Sequence, residues 1–173
     1  MHVFKRLFTC ILSVAIALTA LFALPVNATT SDETGKVSKV LVLNFDPVFH
    51  LEDGDKYHHE LMDGWNNPYE LAAQFISDME EVSHGYVNYH ISDWQDINTL
   101  PTSIEGTTYT LNNYYNTLMT ANEQYNGHYW ESPAWVNFGS FDYDYYLSYY
   151  NVYNRIDSGE IDEVWIFTGP MIG

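Results

Sequence analysis

The chain has 173 residues, with 23 acidic and only 6 basic side chains, and a formal net charge of −17 at neutral pH. Such a charge repels phosphate backbones and anionic lipids, which excludes nucleic acid and acidic membrane surfaces as partners. The single cysteine, Cys10, lies in the first apolar segment, so the rest of the chain has no disulfide and no cysteine-based zinc site.

Residues 1–28 have the pattern of a signal peptide. Lys5 and Arg6 precede an apolar stretch, and this stretch is followed by a segment ending at Ala28 that suits signal-peptidase cleavage. Retention as an anchor is the alternative, because the stretch approaches the ~18 residues of a spanning helix. Cleavage would leave no stable membrane span. We expect a secreted protein and, because disulfides are lacking, a bacterial one.

The segment after the signal peptide predicts a short lead-in followed by a buried strand. Residues 29–38 are polar and predict a flexible lead-in, whereas residues 39–173 predict one α/β domain. Val40 to Phe45 form a continuous apolar run, which is typical of a strand in a parallel sheet. The polar stretch from His50 to Asn67 is long enough for a functional loop or a lid.

A capped helix and a second strand follow this loop. Asn67 and Pro68 are typical of a helix start, and Glu70 is placed to complete a capping box. The spacing of Leu71 and Phe75, continued by Met79 and Val82, predicts a buried helix face. Tyr86 to Ile91 predict the second strand, and the order strand, helix, strand favours a parallel crossover.

The remaining elements complete an α/β pattern. We predict helices over Leu111 to Gln124 and Asp142 to Asp157, and a last strand over Ile161 to Phe167. The expected fold is therefore α/β, with a mainly parallel sheet flanked by helices. Only residues 168–173 follow the last strand, so we expect a fragment, the truncated amino-terminal part of a larger domain.

The candidate catalytic residues are Asp46, His90 and Asp93. Each is predicted to lie at the carboxyl end of a strand, where the functional crevice of an open parallel sheet is found. A histidine with carboxylates can provide a general base and its orienting partner, or bind a metal. The alternative is structural, because Asp46 before Pro47 is also a common turn residue.

Two segments approach known metal motifs without completing them. His59 to Asp63 is similar to a zinc-protease helix motif, but an aspartate stands where the second histidine is needed. Glu52 to Asp55 is similar to a calcium loop but lacks the distal glutamate. A solvated loop is the alternative for both segments. The sequence therefore specifies neither a metal nor a cofactor.

Aromatic residues are abundant and have two interpretations. Trp94, Trp130 and Trp135, with the tyrosines between positions 143 and 153, suit stacking on sugar rings. Large aromatic side chains at helical spacing also fill cores. No Gly-x-Ser-x-Gly elbow and no glycine-rich phosphate loop is present, which disfavours a serine hydrolase and a nucleotide enzyme.

Three segments resemble a family of large, exported bacterial proteins that has no established reaction. They are Val40 to Pro47, Trp65 to Tyr89, which includes Trp65-Asn66-Asn67-Pro68, and Ile156 to Pro170, which includes Gly159 to Phe167. The resemblance implies export and a longer natural chain, and it assigns no functional residue.

Taken together, these patterns favour a hydrolase-like domain that acts on an extracellular glycan or peptide. The alternative is a non-catalytic carbohydrate-binding or cell-surface interaction domain that uses its aromatic residues. A third interpretation is an inert structural domain.

Overall fold

A parallel sheet of three strands organises the chain, with strand order β4-β1-β5. The computed structural model describes residues 35–106, 109–169 and 172, so the predicted signal peptide lies outside the described residues. The strands are β1 (Lys36–Asn44), β2 (Val48–Leu51), β3 (Gly54–Tyr57), β4 (Val87–Asp96) and β5 (Glu163–Phe167). The helices are α1 (Pro68–Val82), α2 (Leu111–Gln124), α3 (Tyr143–Tyr149) and α4 (Val152–Asp157), with short 3-10 helices at His58–Glu60, Tyr129–Glu131 and Pro133–Phe138.

β1 is the central strand and confirms the predicted buried run. It pairs in parallel with β4 on one side and with β5 on the other. The four residues from Val40 to Leu43 have no exposed surface. A strand covered on both faces needs this unbroken apolar sequence, because alternating polar residues would be buried without partners. The mixed α/β fold and the parallel pairing of the first two sheet strands are thus confirmed.

The polar excursion after β1 contains a hairpin. β2 and β3 pair antiparallel, with Val48 opposite Tyr57 and Leu51 opposite Gly54. The turn residues are Glu52 and Asp53, and Gly54 adopts a φ of 126° that other residues rarely reach. The hairpin returns the chain to the end of β1.

Helix α1 starts as its sequence predicts but leaves much of its apolar face exposed. The side chain of Asn67 accepts hydrogen bonds from the backbone N–H groups of Tyr69 and Glu70, at 2.9 and 3.4 Å. Ala72 is buried, whereas Leu71 and Phe75 remain 42% and 44% exposed. The predicted face therefore packs only partly on the sheet.

Strand β4 continues further than predicted. The sequence predicts a loop from Ser92, but the strand runs on to Asp96. The register pairs Val40 with Ile91 and Leu41 with Asp93, so Ser92 is skipped in a bulge. A bulge adds one residue to a strand and breaks the two-residue alternation by which strands are recognised.

The predicted helix over Asp142 to Asp157 is two helices, α3 and α4. Asn151 lies between them with a φ of 53°, in the left-handed region that asparagine tolerates better than most residues. The helix therefore breaks at Asn151, although the spacing of the apolar residues alone predicts one continuous helix.

Two buried clusters surround these elements. The first packs one face of the sheet against α3 and α4, and its buried members are Leu41, Leu43, Phe45, Phe141, Tyr146, Val152 and Ile161. The second surrounds α2, and its buried members are Phe49, Leu100, Tyr114, Leu118, Ala121, Trp135, Phe138 and Ile172. Within the described ranges, no helix is both long and apolar enough to cross a membrane.

Truncation of Phe45 to Ala is expected to lower the free energy of unfolding by about 3–5 kcal/mol. Phe45 is buried, and its ring makes edge contacts with Phe141 at 5.4 Å and with Tyr146 at 4.8 Å. Urea denaturation measures the change. The control is Val82→Ala on an exposed position, which should change stability by less than about 0.5 kcal/mol. Equal effects of the two substitutions would contradict this description of the core.

Candidate functional site

Two neighbouring cavities lie at the carboxyl end of β1, where parallel strands place their functional crevice. The first cavity has a volume of about 250 Å³ and the second of about 390 Å³. Asn44, Asp46 and His59 line both of them. The first cavity is otherwise bounded by residues around His58, Trp65 and Gly169, and the second by residues around Tyr57, Tyr69 and Asp96.

Asp46 and His59 form a close pair between the cavities. Asp46 Oδ2 lies 2.7 Å from His59 Nδ1, and Asp46 Oδ1 accepts a hydrogen bond from the backbone N–H of His59 at 2.9 Å. The side chains are only 8% and 17% exposed. Asp46 lies two residues beyond the end of the central strand, and His59 lies in the 3-10 helix after the hairpin. Two bonds from one carboxylate hold both the backbone and the ring of His59.

Asn67 determines which nitrogen of His59 carries the proton. Its Oδ1 accepts two backbone bonds at the start of α1, so its amide nitrogen is the atom that faces His59 Nε2, at 3.3 Å. An amide N–H donates, so Nε2 accepts and Nδ1 is the donor to Asp46. This tautomer is assigned from the hydrogen-bond network. It leaves a lone pair on Nε2, the atom that a general base uses.

His58 is a second histidine in the first cavity, and it is a buried one. Only 2% of its surface is exposed, and its Nε2 has no hydrogen-bond partner among the described residues. Burial lowers the pKa of His58 to about 4, against smaller raising effects of a backbone hydrogen bond at Phe45 and the charge of Asp46. His58 is therefore neutral at physiological pH.

Replacing Gly169 with Ala is expected to destabilise the protein by about 1–3 kcal/mol, the usual cost of overpacking. A Cβ at this position would overlap the imidazole ring of His58. The matched control is Gly159→Ala on a positive φ, where a Cβ would meet nothing within 4 Å, so only the backbone strain is tested. Thermal denaturation compares them. A stability of Gly169→Ala equal to wild type would contradict the packing of Gly169 on His58.

Asp96 organises the aromatic side of the second cavity. It accepts hydrogen bonds from Asn44 Nδ2 at 2.9 Å, from the Tyr69 hydroxyl at 2.6 Å and from Trp94 Nε1 at 2.8 Å. Burial alone would raise the pKa of Asp96, but the three bonds together hold it below its ordinary value. The bond to Asp96 is the main cause that raises the pKa of Tyr69 to about 12.

The structure separates the three candidate catalytic residues. Asp46 lies at the cavities, whereas His90 pairs with Lys39 and is exposed in the middle of β4. Asp93 pairs with Leu41 and forms an ion pair with Arg155 at 3.0 Å. Lys39, the partner of His90, lies roughly 16 Å from the end of β1 at the usual rise per residue of a strand, so His90 is far from Asp46. The catalytic roles of His90 and Asp93 stay predictions, but these residues do not join Asp46.

The sequence does not indicate the roles of His59 and Asp96 in this site. Its pattern indicates His59 only as a zinc ligand and predicts a loop at Asp96. The hairpin signal at Asp53-Gly54 would have indicated that the chain returns toward Asp46 after β3. The position of Asp96 depends on the bulge at Ser92, for which the sequence carries no clear signal.

The metal hypotheses find no support at their segments. Asp63 is exposed, and His59 pairs with Asp46 instead. Asp53 forms an ion pair with Lys56 at 3.0 Å. Among the residues that the structure describes, no group of three or more histidine, cysteine, aspartate or glutamate side chains is placed to hold a metal ion.

The aromatic residues divide between core and surface. Trp135 is buried and donates a hydrogen bond from Nε1 to the Tyr129 carbonyl at 2.6 Å. Trp130 is exposed and stacks on His128. The exposed tyrosines of α3 and α4 are Tyr143, Tyr145, Tyr149 and Tyr153. Trp65 lines the first cavity, and Trp94 stacks on Tyr69 beside the second.

The chain matches no protein-family model, no curated protein and no solved structure. The resemblance to exported bacterial proteins therefore stays a prediction. Since one fold can carry many reactions, the function is inferred from the residues of the site.

Proposed function

We propose that the protein is an exported bacterial hydrolase that acts on an extracellular glycan or peptide. His59 acts as the general base and Asp46 as its orienting partner. The observation that carries the proposal is the 2.7 Å bond between Asp46 Oδ2 and His59 Nδ1, which leaves Nε2 as the acceptor. The same division of roles between carboxylate and imidazole supports water or hydroxyl activation in many hydrolases.

The tautomer of His59, with its lone pair on Nε2, allows this residue to take a proton from water. A water in the cavity gives one proton to His59 Nε2 while its oxygen attacks the electrophilic carbon of the substrate. The imidazolium that forms keeps its Nδ1–H bond to Asp46, whose negative charge stabilises it. With a peptide, the proton then passes from Nε2 to the leaving amine as the scissile bond breaks. With a glycan, the leaving oxygen departs on the face opposite the attacking water and takes its proton from solvent. Asn67 contacts Nε2 at 3.3 Å, a long hydrogen bond that an incoming water can replace.

The burial of Asp46 supports this role. A carboxylate with 8% of its side chain exposed is costly to bury unless its oxygens accept hydrogen bonds. Both oxygens do so, one from the backbone N–H and one from the ring of His59. The carboxylate thus fixes the imidazole in one orientation, which a solvated aspartate would not do.

The charge of the site limits the substrate. Among the described residues that line the two cavities there is no lysine or arginine, whereas Asp46, Glu60 and Asp96 are present. Anionic groups are therefore repelled, and uncharged or cationic polymers are favoured.

The test is a screen of the purified full chain against neutral polysaccharides and unmodified protein substrates, with release of reducing ends or amines as the signal. We expect turnover of one polymer class, and loss of this turnover in Asp46→Asn. The control is Asp55→Asn, because Asp55 forms a pair with His50 at the same 2.7 Å on the exposed hairpin. Equal turnover in both variants, or no turnover by the wild type, would contradict the proposal.

A non-catalytic binding domain is the second candidate function. It is favoured by the exposed stack of Tyr145 on Tyr149, with ring centres 6.0 Å apart, on the surface of α3. Under this alternative the wild type binds a polymer without cleaving it, and Tyr145→Ala weakens that binding while Asp46→Asn leaves it unchanged.

A further inference from the structure

We infer that the second cavity binds a neutral sugar unit of a glycan between the tyrosines Tyr57 and Tyr69. This inference names the substrate class of the proposed hydrolase and to that extent rests on it. Sugar binding depends on other side chains than the proton transfer does, so the two can be tested separately.

Tyr69 presents a rigid aromatic surface to the cavity. It lines the second cavity, is 50% exposed, and stacks on Trp94 with ring centres 4.2 Å apart and planes 14° apart. Trp94 stacks in turn near Phe167, at 6.0 Å and 21°. The hydroxyl of Tyr69 is held by Asp96. A ring that is fixed at its edge and supported from behind loses little entropy when a ligand stacks on it.

Tyr57 provides a second aromatic surface in the same cavity. It is 51% exposed and lies nearly parallel to His59, with ring centres 5.8 Å apart and planes 20° apart. Both tyrosines are therefore half-exposed rings, each supported by another ring. Sugars carry an apolar face of C–H groups with hydroxyls around the edge, which matches aromatic surfaces surrounded by polar side chains.

The polar side chains of the second cavity can form hydrogen bonds with the hydroxyl groups of a sugar. Asn44 is 2% exposed, its Nδ2 donates to Asp96, and its Oδ1 has no hydrogen-bond partner among the described residues. A buried acceptor without a partner costs free energy until a donor arrives. Asn98 lines the cavity too, and its Oδ1 accepts from the backbone N–H of Val48 at 2.8 Å, which leaves its amide N–H groups to donate.

A sugar hydroxyl both donates and accepts, so it satisfies an orphaned acceptor and an amide donor alike. A cation such as an ammonium group only donates, so it cannot accept a hydrogen bond from the Asn98 amide. An acidic sugar would meet the carboxylates of Asp46, Glu60 and Asp96. The balance of donors, acceptors and charge therefore favours a neutral sugar.

Isothermal titration calorimetry on the full chain tests the inference with cellohexaose, xylohexaose, mannohexaose and chitohexaose. Oligogalacturonate and methylammonium serve as the anionic and cationic comparators. We expect one neutral oligosaccharide to bind, and Tyr57→Ala and Tyr69→Ala each to weaken it about tenfold, as expected for loss of one stacking ring. Tyr69→Phe keeps the ring and should retain more affinity than Tyr69→Ala, which separates stacking from misfolding.

The matched control is Tyr86→Ala. Tyr86 is as exposed as the two cavity tyrosines, but it precedes the amino end of β4, away from the cavities. We expect its affinity to equal that of the wild type. Binding of no neutral oligosaccharide, stronger binding of either comparator, or equal losses in Tyr86→Ala and Tyr69→Ala would overturn the inference.

These results distinguish the two proposals. If the wild type binds a neutral oligosaccharide but cleaves no polymer, sugar binding stands and hydrolysis is wrong. If it cleaves peptides and binds no neutral oligosaccharide, hydrolysis stands and this inference is wrong.

Discussion

Replacing His59 with Gln is expected to lower kcat for the hydrolysed polymer by about 10²- to 10⁴-fold, the usual contribution of a general base. Glutamine keeps most of the volume and can still donate a hydrogen bond to Asp46. It cannot accept a proton from water at neutral pH. Because His59 lies outside the two buried clusters, the folded state should persist, with a Tm close to that of the wild type.

The control for this substitution is His50→Gln on the exposed hairpin. His50 also lies 2.7 Å from a carboxylate, but its side chain is mostly exposed and it lines neither cavity. We expect unchanged kcat in this variant. Equal kcat in the His59 and His50 variants would remove His59 from the mechanism and contradict the proposed function, as would full activity of Asp46→Asn.

Acidification from pH 6.5 to pH 4 is expected to cost the protein about 3 kcal/mol of stability through His58 alone. The pKa of His58 falls from 6.5 to about 4 on burial. Between these values the unfolded chain binds a proton that the folded chain does not. The stability contributed by neutral His58 is thus fully present above pH 6.5 and declines as the pH falls. It does not decline further below about pH 4.

Urea denaturation at several pH values measures this contribution. His58→Gln should have a lower but flatter stability between pH 6.5 and 4, because no group at that position then takes up a proton. Carboxylates with lowered pKa, such as Asp96 and Asp162, act mainly below this range. Identical slopes in the wild type and His58→Gln would contradict the burial of a neutral His58.

The elements that the sequence predicts well are those with strong local signals. The run from Val40 to Leu43 is apolar without a break, which only a strand covered on both faces requires. The start of α1 combines Asn67 as the cap with Pro68 in the first turn, and each acts through its own backbone neighbours. Such signals need no knowledge of the rest of the fold.

The elements predicted poorly depend on single irregular residues. The bulge at Ser92 extends β4 by several residues and places Asp96, rather than Asp93, beside Asn44. The left-handed backbone at Asn151 divides one expected helix into two. Neither residue is unusual for a loop or a helix when taken alone. Tertiary packing therefore determines the backbone at Ser92 and Asn151. Because of the bulge at Ser92, Asp96 and not Asp93 lies at the candidate site.

The sequence predicts only part of the candidate site, because the other part depends on contacts between distant segments of the chain. Asp46 follows directly from the rule that functional groups lie beyond the carboxyl ends of parallel strands. Its partner His59 is 13 positions further along the chain and reaches it only because the β2–β3 hairpin folds back. His58, the neighbouring residue, is buried beside Gly169, which is far away in the sequence. Contacts between residues so far apart in the sequence cannot be predicted until the fold is known.

The measurement that tests the proposed mechanism most directly is ¹⁵N NMR of the imidazole nitrogens in histidine-labelled protein, with His59→Gln used to assign the signals. The tautomer of His59 can be read from this spectrum without knowledge of the substrate. We predict a proton on Nδ1, directed at Asp46, and a lone pair on Nε2 at neutral pH. A neutral His59 with its proton on Nε2 would contradict its role as the base that receives a proton from water.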